Sequence, residues 1–282
     1  MTISEFKIHF RNELHQVYTE SESSFLFSIF IEKITGLDAF QQRRSSDVEL
    51  SSTDEQKFQE IIIELKTHKP YQHILGETEF YGMTFFVNEH VLIPRPETEE
   101  LLEIAITRIQ NSSPVTENLK ILDIGTGSGV IPLVLKKHFP QAEVSSIDFS
   151  EKALETAKKN AALHQLDIHF IHGDYLNYEL IDNYDIIISN PPYIGIEEEV
   201  EIENSVKGFE PNMALFSPTS DALIFYRKIA EDSKKHLNQD GSLFLEINQK
   251  LGPETLDLYS FFSESELIKD LSGNDRFVTG KK

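Results

Sequence analysis

Residues 121–129 read Ile-Leu-Asp-Ile-Gly-Thr-Gly-Ser-Gly, and the apolar, then basic run 130–138 follows directly. A strand that ends in three alternate glycines and passes at once into a helix brings backbone amides close to a ligand at a helix N-terminus. The spacing is G-x-G-x-G, which differs from the G-x-G-x-x-G of dinucleotide folds. Around this turn, strands and helices alternate. The pattern predicts strands at 120–124, 143–147, 168–171, 184–189 and 242–247, and helices at 130–138, 152–164 and 222–236. Such alternation implies an α/β fold, Rossmann-like, with a mostly parallel sheet covered by helices and ligands outside the carboxyl ends of the strands. Segments 255–262 and 266–278 are expected to add two strands, one of them antiparallel.

The 282 residues suffice for one large domain and a smaller companion. Residues 1–75 carry helical spacing (Phe6, Phe10, Leu14, Val17, then 25–34 and 58–65), with a polar loop at 41–52, and predict a small helical domain. Residues 76–95 turn extended and read as a linking β-hairpin punctuated by Gly82. The remainder, 96–282, forms the large domain, opened by Pro94-Arg-Pro96 and the acidic helix start Glu97, Glu99 and Glu100. There are 26 basic and 47 acidic residues, a net charge of −21, which opposes a partner held mainly through phosphates. With no cysteine, thiolate chemistry and disulfides are excluded. The N-terminal residues lack a signal-peptide pattern and no apolar run reaches membrane-spanning length, so a cytoplasmic protein with no membrane partner is expected. No metal constellation is visible.

Successive strand ends carry the chemistry. Gly125, Thr126, Gly127, Ser128 and Gly129 form the first loop. The second strand ends at Asp148, about 20 residues beyond the glycines, where doubly wound folds grip a ribose; a helix N-cap is its alternative role. At the third, Asp174 and Tyr175 offer a polar partner and a flat face to an adenine. The fourth ends Ser189-Asn-Pro-Pro-Tyr193. Asn190 precedes a proline and stays extended, and Pro191 and Pro192 have no N–H to donate. The Asn190 oxygen and the Pro191 carbonyl, beside the Tyr193 ring, make a receptor for a planar group bearing NH2.

Leu92-Ile-Pro-Arg-Pro-Glu-Thr-Glu99, Asp123 to Gly129, Asn190-Pro-Pro-Tyr-Ile194, Glu210-Pro211, Leu245-Glu-Ile247 and Lys269 to Val278 together resemble the release-factor glutamine methyltransferases, the PrmC/HemK family. The resemblance runs from about residue 70 to 282. It implies a class I methyltransferase fold behind a helical N-terminal domain, S-adenosylmethionine as cofactor, and methyl transfer to the side-chain amide of the Gly-Gly-Gln glutamine in peptide-chain release factors. Gly125 to Gly129, Asp148, Asp174, Tyr175 and Asn190 then hold the cofactor. Asn190, Pro191, Pro192 and Tyr193 hold the glutamine, with Asn190, Pro191 and Tyr193 as the catalytic set. One departure is Asn248, where the family usually has glycine, and it bears on the local turn. Asn-Pro-Pro-Tyr is shared with enzymes that methylate amino groups of nucleic-acid bases, which makes such an enzyme one alternative; a non-catalytic cofactor-binding protein is another.

Overall fold

The computed structural model describes residues 1–112, 118–194, 208–217 and 219–282, and of the expected 111–118 linker only Asn111, Ser112 and Asn118 fall among them. The chain divides into two compact units. Residues Met1–Gly76 form most of the first, and the residues from Glu77 onward, a short stretch before Glu210 excepted, form the second.

In the first unit, helices α1 (Ile3–Leu14) and α2 (Glu20–Thr35) each start at a capping box, Thr2 with Glu5 and Thr19 with Glu22. Reciprocal bonds of this kind satisfy two otherwise orphaned N–H groups. Helix α2 stops at Gly36, which takes the left-handed φ of 74° that side chains resist. The expected loop at 41–52 is partly helical: α3 (Ala39–Arg44) is started by Asp38, whose carboxylate accepts from the Phe40 and Gln41 amides. The polarity of that stretch marks a solvated helix face. Helix α4 (Ser52–Lys66) and the short α5 (Tyr71–Leu75) complete the unit. Phe6, Phe10, Phe27 and Phe58 form its aromatic centre, with Phe27 and Phe58 stacked at 5.7 Å. Truncating any one of these rings to alanine costs about 3–5 kcal/mol.

The hairpin is shorter and earlier than the sequence predicts. Strands β1 (Glu77–Phe80) and β2 (Met83–Phe86) are joined by Tyr81 and Gly82, at φ 50° and 65°. Two positive φ values match the right-handed twist of a two-residue turn, and Gly82 serves this purpose. The hairpin is clasped within the second unit: buried Asn160 accepts from the Phe86 amide at 2.7 Å and donates to the Phe86 carbonyl at 3.0 Å.

Helix α6 (Pro96–Asn111) precedes the main sheet, which is built from β3 (Lys120–Ile124), β4 (Glu143–Asp148), β5 (His169–His172), β6 (Tyr184–Ser189), β7 (Leu237–Glu246), β8 (Glu264–Lys269) and β9 (Asp275–Lys281). Their order is β5-β4-β3-β6-β7-β9-β8, parallel except where β9 pairs with β7 and β8. Helices α7 (Val130–His138), α8 (Glu151–His164) and α10 (Ile224–His236) lie in the βα units, and a short α9 (Asn212–Leu215) comes before α10. Side chains on the strands alternate between two apolar layers. Ile121, Ile186, Ile188 and Phe244 enter one; Leu122, Ile124, Ile187 and Leu245 enter the other. Both faces are covered, which explains the near-continuous apolar run of β6.

The expected strand at 255–262 is instead helix α11 (Gly252–Asp257) followed by a turn. Pro253 and Glu254 favour a helical first turn, and the spacing of Thr255, Leu258, Tyr259 and Phe262 is helical. Tyr259 is wholly buried and its hydroxyl donates to the Tyr226 carbonyl at 2.8 Å. The two last strands come later in the chain than expected.

Candidate active site

Strands β3, β4 and β6 pair in register up to their carboxyl ends, with Ile124 opposite both Ile147 and Ser189. The strand order reverses between β3 and β6, and the crevice at such a reversal is where open α/β sheets bind ligands. A cavity of about 530 Å³ opens there. Gly125 to Ser128, Asp148, Asp174, Tyr175, Asn190, Pro191 and Pro192 line it, together with Thr98, Phe149, Pro211 and Phe225.

The glycine loop follows backbone logic. Gly125, Gly127 and Gly129 have φ of 90°, 54° and 87°. A Cβ on Gly129 would come within 3.1 Å of the Ala157 Cβ, so α8 packs against the bare backbone where α7 begins. Beneath the loop, Ser146 donates to the Asp123 carboxyl at 2.5 Å and lies 2.6 Å from the Thr126 hydroxyl. Asp123 is wholly buried, and burial pushes its carboxyl well above the usual range. Asp123 is thereby a strut under the loop.

Asp148 accepts from the Gly127 amide and the Ser150 amide, both at 2.8 Å. It does not cap α8, because Ser150 does so by accepting from Ala153. A carboxylate offers about four lone-pair directions, which leaves acceptors for a diol in the cavity. Burial raises its carboxyl above the ordinary value, and the Ser150 and Gly127 amides oppose the shift.

Asp174 turns its carboxylate back to the Leu176 amide at 3.1 Å and the Asn177 side chain at 2.6 Å. Tyr175 departs from the expected open face: its ring belongs to the core below the sheet, its hydroxyl donates to Asp232 at 2.8 Å, and Lys228 lies 5.1 Å from its centroid. The exposed ring at this edge is Phe149, 60 % accessible and beside Asp148. An aromatic directly after a strand-end acid is the signal that could have found it. His169 and His172 are exposed on β5, and His172 bonds the Phe149 carbonyl at 3.0 Å.

At the fourth strand end a chain of side-chain bonds appears. Asn190 donates through Nδ2 to the Thr98 hydroxyl at 3.1 Å, and Thr98 donates to Glu246 Oε2 at 2.7 Å. Tyr193 donates to Glu246 Oε1 at 3.2 Å. Tyr193 does not line the cavity, so the sequence expectation of a ring beside the bound group gives way to a ring that supports Glu246. Glu246 is 1 % exposed, and burial lifts its carboxyl to about 7. Burial beside that carboxylate also raises the Tyr193 phenol. Asn248 sits at φ −64°, where glycine has no advantage, accepts from the Lys250 amide at 2.9 Å, and donates to the Tyr193 carbonyl at 3.1 Å. The departure from glycine thus ties two segments of the site together.

Next to Pro94, Arg95 and Pro211, which line the cavity, Glu210 is buried and accepts from the Ile93 amide at 3.0 Å and from Arg95 at 2.5 Å. This joins the Pro94-Arg-Pro96 segment to Glu210-Pro211. Thr98, Glu246, Arg95 and Glu210 stood in motifs noticed in the sequence, but without roles. Only their meeting in space assigns them any.

Residues 8–76 match the PrmC N-terminal domain family, and residues 104–206 match the Methyltransferase small domain family. A release factor glutamine methyltransferase from Flavobacterium psychrophilum is 44% identical over 99% of this chain and 98% of its own length. This chain belongs to the release factor glutamine methyltransferase family. Other members similar to it come from Streptococcus pneumoniae, 38% identical over 99% of this chain and 98% of that protein, and Bacteroides thetaiotaomicron, 36% identical over 97% and 98%. Two solved structures share the fold. A Pyrococcus furiosus methyltransferase has a TM-score of 0.51 at 15% identity, covering 82% of this chain and 99% of that one. The hMettl16 catalytic domain has a TM-score of 0.52 at 20% identity, covering 71% and 76%. As a member of this family the protein is a class I methyltransferase whose cofactor is S-adenosylmethionine. The residues fit that group: a bare glycine cradle, Asp148 with acceptors to spare for a ribose, an apolar ring at Phe149, and a cavity within the usual 300–1,000 Å³ of ligand sites.

Proposed function

We propose that this methyltransferase acts on the side-chain amide nitrogen of the glutamine in the Gly-Gly-Gln loop of peptide-chain release factors, in the cytoplasm. The observation that carries this reading is the orientation of Asn190. Its Nδ2 is committed to Thr98, and among the described residues no donor reaches its Oδ1. Asn190 and Pro191 both line the cavity, and an amide oxygen with a neighbouring main-chain carbonyl is the acceptor pair that an NH2-bearing planar group requires.

An amide nitrogen is a poor nucleophile because its lone pair is delocalised into the carbonyl. Bound S-adenosylmethionine supplies an electrophilic methyl on a sulfonium. Asn190 Oδ1 and the Pro191 carbonyl accept the two N–H bonds and hold them out of the amide plane, which favours a pyramidal nitrogen with its lone pair restored. Pro191 and Pro192 lack N–H groups and set no competing donor against the substrate. The residues thereby contribute alignment, and alignment of this kind is worth several kcal/mol of barrier. N-methylation makes the nitrogen acidic, so its proton leaves without a dedicated base. Gly125 to Gly129, Asp148 and Asp174 are the proposed cofactor contacts, Phe149 joins them as the flat face, and Tyr175 stays behind them as support. Asn190, expected to hold the cofactor as well, is assigned to the glutamine because its one donor group is spent on Thr98. Pro192 and Tyr193 complete the proposed glutamine site, Tyr193 through Glu246. Both the Pro94-Arg-Pro96 wall and the family relatives' printed name support the substrate class.

The test is mass spectrometry of release factors incubated with the protein and labelled cofactor. One methyl on the Gly-Gly-Gln glutamine is the expected result, and none on either factor overturns the reading. Replacing Asn190 by Asp keeps an acceptor but removes the donor to Thr98, and should lower kcat at least about tenfold with cofactor binding retained.

A further inference from the structure

The bonds that end on Asn190 have a direction. A side-chain amide is a donor at one end and an acceptor at the other, with nearly the same shape either way. Only the oxygen end can receive a substrate N–H. Thr98 owns one hydroxyl proton and stands between the Asn190 amide, at 3.1 Å, and the Glu246 carboxylate, at 2.7 Å. An ionised carboxylate accepts and never donates. Thr98 must then give its proton to Glu246 and can offer Asn190 only a lone pair, so Nδ2 turns to Thr98 and Oδ1 to the cavity. A protonated Glu246 removes this constraint. Its own O–H can point at Thr98, Thr98 can donate to Asn190, and the amide can flip to set two NH2 groups against each other.

Resting on the glutamine-methylation reading above, we infer that Glu246 is a positioning residue: through Thr98, its charge decides which end of the Asn190 amide faces the substrate nitrogen. Glu246 is 1 % exposed and does not line the cavity, so it does not touch the substrate. A need for two hydrogen-bond acceptors alone does not explain a carboxylate at so buried a position, where ionisation is costly. A need for a group that cannot donate does explain it.

The charge state of Glu246 is set by what faces it from each packed element. Thr98 and Glu97 come from α6, Tyr193 from the segment after β6, Tyr226 from α10 with its hydroxyl 3.2 Å from the Glu246 carbonyl, and Arg276 from β9. Burial is the strongest influence and favours the neutral form, Glu97 adds to it, and Thr98, Arg276 and Tyr193 favour the carboxylate. The balance puts titration at about 7. The competent form is the ionised one, so transfer rises with pH through that region and fades below it.

The experiment measures single-turnover transfer to a Gly-Gly-Gln protein substrate at saturating cofactor, from about pH 5.5 to 9, with cofactor affinity measured alongside. Wild type should show a limb near 7 in the rate and none in cofactor affinity. Glu246→Gln, which presents either a donor or an acceptor to Thr98, should abolish the limb and lower the plateau about three- to tenfold. Thr98→Val should lower the plateau at least about tenfold and also abolish the limb, and Thr98→Ser should restore the limb. A limb that persists in both Glu246→Gln and Thr98→Val overturns the inference, as does a wild-type rate in Thr98→Val. A second readout needs no substrate: the Asn190 side-chain NH2 resonance should titrate with Glu246 in wild type and stay flat in Glu246→Gln. A protein that shows this titration yet methylates no release factor keeps the relay and loses the proposed function. A flat resonance in wild type overturns the relay even where transfer is seen.

Discussion

The two halves of the crevice are built differently. On the side of β3 and β4, the bonds that shape the loop join residues only 20 to 23 positions apart, whether to a backbone amide, as from Gly127 to Asp148, or between side chains, as from Ser146 to Asp123 and Thr126. On the side of β6 and β7, side chains bond to side chains across long stretches of sequence: 92 positions from Thr98 to Asn190, 148 from Thr98 to Glu246 and 53 from Tyr193 to Glu246. The first half is a local motif that works wherever a strand meets a helix. The second exists only once the whole sheet has formed, and each of its members depends on the others, as is general for buried polar networks. Binding of the cofactor and presentation of the acceptor should therefore fail separately.

The sharpest way to break that separation is Asn190→Ala. Transfer should fall about 10²- to 10³-fold, the usual loss for one preorganised polar contact, while cofactor affinity stays within about twofold. A parallel loss of both, in single-turnover rates and calorimetry, would show one site and not two halves. Next in size is the cost of keeping Glu246 buried. Its folded-state value of about 7 lies above the ordinary 4.5, so between these the folded protein binds a proton that the unfolded chain releases. Stability from this group is accordingly greatest at low pH and declines as pH rises through that window, by on the order of 3 kcal/mol. Glu246→Gln has no such decline, so its stability relative to wild type should improve between about pH 4 and 8 in urea titrations. If the difference does not change with pH, Glu246 is not held neutral by burial.

Asp148→Ala probes the other half. It should cost about 1.5–3 kcal/mol of cofactor binding, as for bonds to a charged group, with transfer at saturating cofactor much less affected. Unchanged affinity would remove Asp148 from the cofactor half. The smallest expected effect is that of Asn248→Ala, about 1–2 kcal/mol of stability from the lost bonds to the Tyr193 carbonyl and from the Lys250 amide. Urea midpoints equal to wild type would mean that the tie carries no weight.

This contrast also explains what could be read from the sequence. Gly125 to Gly129 and Asp148 were legible because backbone geometry imposes residue type at fixed spacing, and the apolar β6 run followed by Asn190 marked a strand end. Thr98 read as one more residue of an acidic helix start, because its partner lies far along the chain. Glu246 read as part of a strand, and nothing local distinguishes a buried carboxylate from an exposed one. The position of Tyr175 on the cavity was legible and the direction of its ring was not, because a strand end offers two directions for a ring and only Asp232 and Lys228 choose between them. The strand expected at 255–262 failed on periodicity, since its aromatics recur at helical spacing.

The position of β9 has a consequence for how the protein comes together and comes apart. This strand is the later half of a hairpin, yet it lies inside the sheet between β7 and its own partner β8. Chain order and spatial order disagree at that border. Until residues 275–281 slot in, β7 presents a bare ladder of amides and carbonyls, β8 has no neighbour, and Glu246 has no Arg276. The border is thus the last part of the sheet to be paired during synthesis, and its ladders are separate from the bonds that shape the glycine loop. Amide exchange tests whether the border opens alone: faster exchange at Phe277 and Val278 than at Ile121 and Leu122 would mean intervals in which the protein holds its cofactor while Glu246 lacks Arg276.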